Sequence, residues 1–277
     1  MIALSLAFSP CPNDTFIFHA LLHKRIDTGD YCFSTSICDI EALNTAAFAR
    51  RFQVTKLSSG AYLRLREHYE LLDSGAAMGF GCGPLVVAAR GHSFSSASRI
   101  AVPGANTTAL LLMKSWNPGL KNLAEERFDR ILPGVKEGKY DAGLIIHEGR
   151  FIYQDYGCVK VVDLGTWWEK ETGCPLPLGC IALRKDPATM AHRENMERMI
   201  RESALYARAR PGESRDFIRA HAPGADDKIT DAHINLYVND YSVSMGETGT
   251  TGFRVLATRT KGDWALVEAR AAPARRF

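Results

Sequence analysis

The 277-residue sequence lacks the short motifs by which several large protein classes are recognised. It contains no C-x-x-C pair, no H-E-x-x-H and no G-x-S-x-G. It also lacks the two glycine-rich phosphate-binding patterns, G-x-G-x-x-G and G-x-x-x-x-G-K-[ST]. These absences argue against a zinc or thioredoxin-like site, a serine-hydrolase elbow, and a dinucleotide or nucleoside triphosphate site.

Long apolar runs and a leader segment are missing as well. Residues 1–8 are apolar but carry no basic n-region, and Pro10 and Pro12 follow at once. No apolar run reaches the roughly 18 residues of a membrane span. The seven cysteines are odd in number and scattered, as free thiols in a reducing compartment would be. We therefore expect a cytoplasmic protein without membrane insertion.

A strong charge excess is also absent, because 34 basic residues nearly balance 31 acidic ones. Residues 252–277 hold six basic and two acidic residues, a net of +4, so the rest of the chain sums to −1 out of the total of +3. A nucleic-acid-binding body should carry a basic face of its own. We predict no nucleic-acid partner and interpret the basic end as a solvated tail.

What is present is an alternation of short apolar runs with helical patterns. Strands are predicted at residues 3–8, 31–38, 53–57, 84–89, 99–102, 128–132, 141–146, 159–164 and 177–183. Helices are predicted at 14–23, 40–50, from 58 or 59 to 67, at 107–116 and within 187–210. Asn13 or Asp14 can cap the first helix and Asp39 the second.

This alternation predicts an α/β fold with mostly parallel sheets. Two such blocks occur, and the apolar strands at 84–89 and 177–183 read as crossings between them. We predict two lobes, one discontinuous (1–90 and 180–277) and one continuous (91–179). Two crossings create a cleft that can close by hinge motion.

Three segments follow predicted strands where helix N-termini offer free N–H groups to anions. They are Ser9–Phe16, residues 55–59 with Lys56 and Ser58, and residues 102–109, where Thr107 or Thr108 opens a helix. The first has a plainer interpretation as an ordinary capped turn, and the second as a surface lysine beside a serine cap. These alternatives stay open on local chemistry alone.

A fourth segment ends an apolar strand in His147, within residues 143–150. Imidazole titrates near neutral pH, which suits a general base at a ligand-binding sheet edge. A structural histidine is the alternative. No other histidine lies in a comparable sequence setting.

Several longer blocks carry a family resemblance. SPCPNDTFIFHALL, TKLSSGAY, GPLVVA, VPGANTTA, GLIIHEGRFIY, VVDLGTWWE and PLPLGCIAL, in this order across residues 3–245, resemble the 1,4-dihydroxy-6-naphthoate synthases of the futalosine route of menaquinone biosynthesis. The resemblance implies a two-lobed, type II periplasmic-binding-protein-like fold. It also implies a lyase that uses no metal or organic cofactor and converts cyclic dehypoxanthinyl futalosine, a small aromatic carboxylate, to 1,4-dihydroxy-6-naphthoate.

The resemblance further implies which residues act. The base is His147, and the substrate contacts and neighbouring asparagine are Lys56, Leu57, Ser58, Thr108, Ala109 and Asn44. After Ser242 the sequence departs from the family pattern and is rich in Gly and Thr, so no helix is predicted from residue 253 onwards. The alternative function is a cytoplasmic small-carboxylate binding protein of the same fold without catalysis. Homodimer formation is left open.

Overall fold

The computed structural model describes residues 1–222 and 226–260. The strands in these ranges are β1 Ile2–Phe8, β2 Tyr31–Ile37, β3 Val54–Ser58, β4 Tyr69–Leu71, β5 Ala77–Gly79, β6 Leu85–Ala89, β7 Ile100–Val102, β8 Leu123–Glu125, β9 Ala142–Ile145, β10 Cys158–Asp163 and β11 Leu176–Arg184. The helices are α1 Pro12–Leu22, α2 Ile40–Phe48, α3 Ser59–Leu65, α4 Thr108–Trp116, α5 Phe128–Lys136, α6 Gly149–Ile152, α7 Leu164–Thr172, α8 Pro187–Met190, α9 Arg193–Ala209, α10 Arg215–His221, α11 Asp227–Tyr237, α12 Asp240–Val243 and α13 Gly246–Arg259. Short 3-10 helices span Tyr153–Tyr156 and Pro211–Ser214.

Two mixed sheets organise these elements. The first has the order β2-β1-β3-β11-β4, with β5 also paired to β11, and the second has the order β10-β6-β9-β7-β8. β1 runs parallel to β2 and β3, and β7 runs parallel to β8 and β9. β6 and β11 are antiparallel to all their partners. The prediction of mostly parallel sheets is therefore wrong, because these two long-range strands run against their neighbours.

The same two strands show where the chain passes between the sheets. β6 pairs in the second sheet although it lies before the predicted boundary at residue 90. β11 pairs in the first sheet across its whole length, which begins at Leu176, before the predicted boundary at residue 180. The division into two lobes itself stays a prediction.

Separate apolar clusters pack on the two sheets. On the first, Phe8 and Phe18 stack with ring centroids 4.5 Å apart, beside Met199 and Ile200 of α9. On the second, the leucines of α4 pack against Trp168 and the buried residues of β7 and β9. Burial of such side chains stabilises each by about 1.5–3 kcal/mol relative to exposure. Every helix in the described ranges is too short or too polar to cross a bilayer.

Residues 128–132, predicted as a strand, form the first part of α5. The buried side chains of this helix are Ile131, Leu132 and Val135, and Phe128 precedes them at helical spacing. The spacing i, i+3, i+4 and i+7 is typical of a helix. The strand was predicted because only the short segment 128–132 was considered. The strand prediction is wrong for this segment.

The predicted absence of a helix after residue 253 is also wrong, because α13 runs from Gly246 to Arg259. Its glycines permit close packing: a Cβ atom on Gly252 would lie 2.8 Å from the carbonyl oxygen of Pro175. Phe253 and Leu256 are buried on the same helix. Tertiary packing therefore outweighs weak helix propensity here. Beyond Thr260 the predicted basic tail lies outside the described residues.

Candidate active site

A narrow cavity of about 80 Å³ lies where the carboxyl ends of β1 and β3 and the turn after β9 face the start of α4. Ligands of open α/β sheets bind at such strand ends. The predicted site residues that line this cavity are Lys56, Ser58, Thr108, Ala109 and His147. The other two predicted residues, Leu57 and Asn44, do not line it, and their roles are described below.

A buried ion pair lines the cavity. Lys56 Nζ lies 2.6 Å from Asp14 Oδ1, and the two side chains are 5% and 2% exposed. The Ser9 hydroxyl donates to Asp14 Oδ2 at 2.6 Å, and the Asn13 amide donates to Asp14 Oδ1 at 2.8 Å. The charge of Lys56 is thus balanced within the protein rather than left for a ligand.

The partner of Lys56 corrects another expectation. Asn13 or Asp14 was predicted as the cap, yet α1 begins at Pro12 with Cys11 as its N-cap, and the Cys11 side chain makes no capping hydrogen bond. Pro12 fits this position because the first helical residue needs no free N–H. Asp14 is thereby the third residue of the helix, in its first turn, where it reaches Lys56 of β3.

Strand alternation explains why the side chains of Leu57 and Ser58 lie on opposite faces of β3. Successive side chains of β3 point to opposite faces, so Lys56 and Ser58 face the cavity and Leu57 enters the core beside Leu65 and Tyr69. Leu57 is fully buried there. The Leu57 side chain therefore faces the core and does not line this cavity.

Asn44, which does not line the cavity, orients Ser58 through two hydrogen bonds. Its Oδ1 accepts from the Ser58 N–H at 2.9 Å, and its Nδ2 donates to the Ser58 Oγ at 3.0 Å. The backbone N–H of Ser58 is thus occupied, which the sequence interpretation did not foresee. The hydroxyl hydrogen of Ser58 is left to donate into the cavity, so Asn44 is a positioning residue.

The start of α4 offers the second polar wall. Thr107 is the N-cap and accepts from the Leu110 N–H at 3.2 Å, as predicted for one of the two threonines. The Thr108 hydroxyl donates to the Leu178 carbonyl at 2.7 Å and accepts from the Gly60 N–H at 3.0 Å. The backbone N–H groups of Thr108 and Ala109 have no hydrogen bond to any residue of the described ranges.

His147 lies in the turn after β9 with φ +53°, in the left-handed region that non-glycine residues seldom adopt. Its Nδ1 lies 3.5 Å from the Cys11 sulfur, and the ring meets Phe128 edge-on at 5.0 Å. Its Nε2 is buried and has no partner among the described residues. Burial lowers the pKa of His147 below its ordinary value and so favours the neutral ring, the form that can accept a proton.

A second histidine, which the sequence interpretation missed, completes the site. His233 of α11 stacks on His147 with ring centroids 6.0 Å apart and an angle of 12°. It is fully buried, and its Nε2 donates to Asn13 Oδ1 at 3.0 Å. The spacing of the buried residues Thr230, His233 and Tyr237 gave a signal, because i, i+3 and i+7 place them on one helix face.

Beside this cavity lies a larger one of about 620 Å³. Cys11, Phe128 and Glu148 line it, and His233 lines both cavities. Burial raises the pKa of the Cys11 thiol well above its ordinary value, so the sulfur next to His147 stays protonated. Within residues 1–222 and 226–260, no group of three or more His, Cys, Asp or Glu side chains could hold a metal ion.

Comparisons with known proteins give the family. The family model described as menaquinone biosynthesis matches residues 4–261. The chain belongs to this family. It is 47% identical over 249 residues to the 1,4-dihydroxy-6-naphthoate synthase of Thermus thermophilus, covering 90% of each chain. It is 37% identical over 265 residues to the synthase of Streptomyces coelicolor, covering 94% of this chain and 93% of the other.

Solved structures agree with the fold. A protein from Archaeoglobus fulgidus matches with a TM-score of 0.88 and 37% identity, covering 95% of this chain and 98% of the other. A Candida albicans protein with the generic periplasmic binding protein fold matches with a TM-score of 0.64 and 11% identity, covering 99% and 92%. The predicted periplasmic-binding-protein-like fold and the resemblance to this family are confirmed.

Proposed function

We propose that this member of the menaquinone biosynthesis family is a lyase that converts cyclic dehypoxanthinyl futalosine to 1,4-dihydroxy-6-naphthoate, with His147 as the general base. The observation that carries the proposal is the buried Nε2 of His147, in a cavity also lined by Thr108 and Ala109; this nitrogen and the backbone N–H groups of those two residues have no partner among the residues that the structure describes. The identities of 47% and 37% to proteins named as this synthase support the choice of substrate.

The substrate carboxylate is assigned to the N-terminus of α4. The N–H groups of Thr108 and Ala109 lack partners in the described ranges, and the positive end of the helix dipole favours an anion. The Ser58 hydroxyl, held by Asn44, adds a third donor. Such donors offset the cost of removing a carboxylate from water. Lys56 contributes less, because Asp14 already neutralises it.

Proton removal is assigned to Nε2 of His147. For that nitrogen to hold a lone pair, the ring hydrogen must reside on Nδ1, which lies 3.5 Å from the Cys11 sulfur, a weak acceptor. A neutral ring is ready to accept a proton at physiological pH because burial lowers its pKa. The left-handed backbone at His147 costs about 1–2 kcal/mol, and such strain clusters at functional sites.

Proton abstraction would start the electron flow that breaks the bond between the naphthalene part and the sugar remnant. Formation of the aromatic product would help to drive that step. The surrounding apolar side chains, such as Ile40 and Leu178, would keep water from the base. The proposed reaction needs no metal or organic cofactor.

One assay tests the proposal directly. Purified protein is incubated with cyclic dehypoxanthinyl futalosine, and 1,4-dihydroxy-6-naphthoate is sought by mass spectrometry under anaerobic conditions. A parallel sample dialysed against a chelator tests independence of metal ions. Product in both samples supports the proposed lyase. Loss of activity that zinc or magnesium restores would overturn the cofactor part.

The assay also separates the alternative, a binding protein without catalysis. Calorimetry on the same batch would then detect binding of the substrate while mass spectrometry finds it unchanged. His147→Asn serves as the matched control for turnover, because it removes the base and keeps a small polar side chain.

A further inference from the structure

His233 is buried, yet one of its ring nitrogens has no partner in the described ranges. Its Nε2 is held by Asn13 Oδ1 at 3.0 Å, and its Nδ1 is buried without any hydrogen bond to those residues. A buried polar atom left unpaired destabilises the fold. Native structures seldom keep such atoms unless a ligand or water takes them up.

The hydrogen bonds of Asn13 determine whether Nδ1 of His233 is a donor or an acceptor. The Asn13 amide donates to Asp14 Oδ1 at 2.8 Å, so its Oδ1 is the group turned toward His233. The imidazole must therefore place its hydrogen on Nε2. Nδ1 is then a lone-pair acceptor, which can pair with a donor of a ligand or of a water.

The ring also stays neutral, which restricts the ligand group further. Burial and the neighbouring His147 ring lower the pKa of His233 well below its ordinary value, and Lys56 adds to this effect. A neutral acceptor nitrogen repels a carboxylate and attracts an O–H. Because His233 lines both the narrow and the larger cavity, such a hydroxyl can belong to a ligand that extends from one into the other.

We propose that Nδ1 of His233 accepts a hydrogen bond from a hydroxyl group of the bound naphthoate-type ligand and so distinguishes hydroxylated from plain aromatic carboxylates. The inference rests on the proposed function for its ligand class. The carboxylate of the ligand binds at the N-terminus of α4, and its hydroxyl group donates to His233 of α11. His233 thus acts in specificity, whereas His147 acts in proton transfer.

Two substitutions separate the two ring nitrogens. In His233→Gln the side-chain amide can replace Nε2 and keep the bond to Asn13, but nothing replaces Nδ1. In His233→Asn the amide oxygen can replace Nδ1 as an acceptor, but the bond to Asn13 is lost. Both variants lose the ring that stacks on His147, so that effect is common to the pair.

The experiment is anaerobic calorimetry with two carboxylates, 1,4-dihydroxy-6-naphthoate and 2-naphthoate, which lacks hydroxyl groups. The wild-type protein should bind the dihydroxy compound about 5–10-fold more tightly, the fold-change of one neutral hydrogen bond. His233→Gln should lose this preference and keep its Tm. His233→Asn should retain most of the preference with a lower Tm, because Asn13 loses its partner.

Each result decides the question. A wild-type protein without the preference overturns the inference, as does a His233→Gln variant that retains it while His233→Asn loses it. Absence of binding to either compound overturns it too. A preference that behaves as expected in a protein that does not turn over the substrate sustains the inference and removes only the proposed catalysis.

Discussion

Two sets of buried polar groups around the cavity differ in their hydrogen bonding. In the paired set, Lys56, Asp14 and Ser9 are buried, and the Asp14 carboxylate accepts from the other two at 2.6 Å. In the unpaired set, Nε2 of His147 and Nδ1 of His233 are buried without partners among the described residues. From this difference we propose that the paired groups hold the shape of the site and that the unpaired groups bind the ligand.

The strongest test of this contrast is His147→Asn. Loss of a general base typically lowers kcat/KM by about 10²–10⁴-fold, and we expect a loss in that range. The Tm should stay near the wild-type value, because asparagine tolerates the left-handed backbone at φ +53° better than histidine does. Steady-state kinetics and thermal unfolding on the same preparation give both quantities.

Lys24→Asn is the matched control, since exposed Lys24 has φ 52° and lies outside both cavities. It should change neither activity nor Tm appreciably. A stable His147→Asn protein with wild-type turnover would show that His147 is not the base. A large drop in Tm with normal turnover would show that its role is structural.

Breaking the paired set should lower the free energy of unfolding. Asp14→Asn leaves the Lys56 ammonium buried and unpaired, and loss of one partner of a buried ion pair costs about 3–5 kcal/mol. The double variant Asp14→Leu, Lys56→Met removes both charges and should cost less. The free energy of unfolding in urea is the measurement.

Asp129→Asn provides the comparison for an exposed pair. Arg127 and Asp129 form a salt bridge with side chains 61% and 37% exposed, so its loss should cost less than about 1 kcal/mol. If Asp14→Asn lowers the free energy of unfolding no more than Asp129→Asn does, the paired set does not hold the shape of the site.

Glu41 of α2 forms a hydrogen bond to the segment that precedes α4, and its pH dependence tests this contact. It accepts from the Asn106 N–H at 3.1 Å and from the Asn44 amide at 3.4 Å. Burial raises the pKa of its carboxyl to about 7 despite these bonds. The folded state therefore binds the proton more tightly than the unfolded state, so stability contributed by this group falls as pH rises from about 4.5 to about 7.

Glu41→Gln removes that titration while keeping an acceptor and a donor. We expect the variant to be up to about 3 kcal/mol more stable than wild type at pH 8, with little difference at pH 4.5. Urea unfolding of both proteins across this pH range measures it. Parallel stability curves for the two proteins would contradict the effect of burial on this carboxyl.

Local rules were enough to predict part of this architecture and site from the sequence. Asp39 and Thr107 cap their helices as predicted, because capping depends on residues two or three positions away. His147 follows its strand as predicted, since an apolar run ending at a polar residue marks a sheet edge. Strand alternation would also have placed Leu57 opposite Lys56, had it been applied there.

The remaining features depend on distant contacts that no local pattern encodes. Asp14 and Lys56 are 42 positions apart, and His233 reaches Asn13 across 220 positions. Helix α13 forms despite poor propensity, because Gly249 and Gly252 allow its backbone to approach Met78 and Pro175. The directions of β6 and β11 likewise follow from partners elsewhere in the chain.

The smallest effect expected here separates two groups of one residue, Thr108. Its backbone N–H is unpaired in the described ranges, whereas its hydroxyl is occupied by Leu178 and Gly60. Thr108→Val keeps the N–H and removes both side-chain bonds. By the contrast drawn above, it should lower the free energy of unfolding by about 1–2 kcal/mol and leave KM nearly unchanged. Thr108→Ser, which keeps the hydroxyl, should resemble wild type. If Thr108→Val instead raises KM about tenfold at unchanged stability, the hydroxyl contacts the ligand, and pairing within the protein does not mark a positioning role.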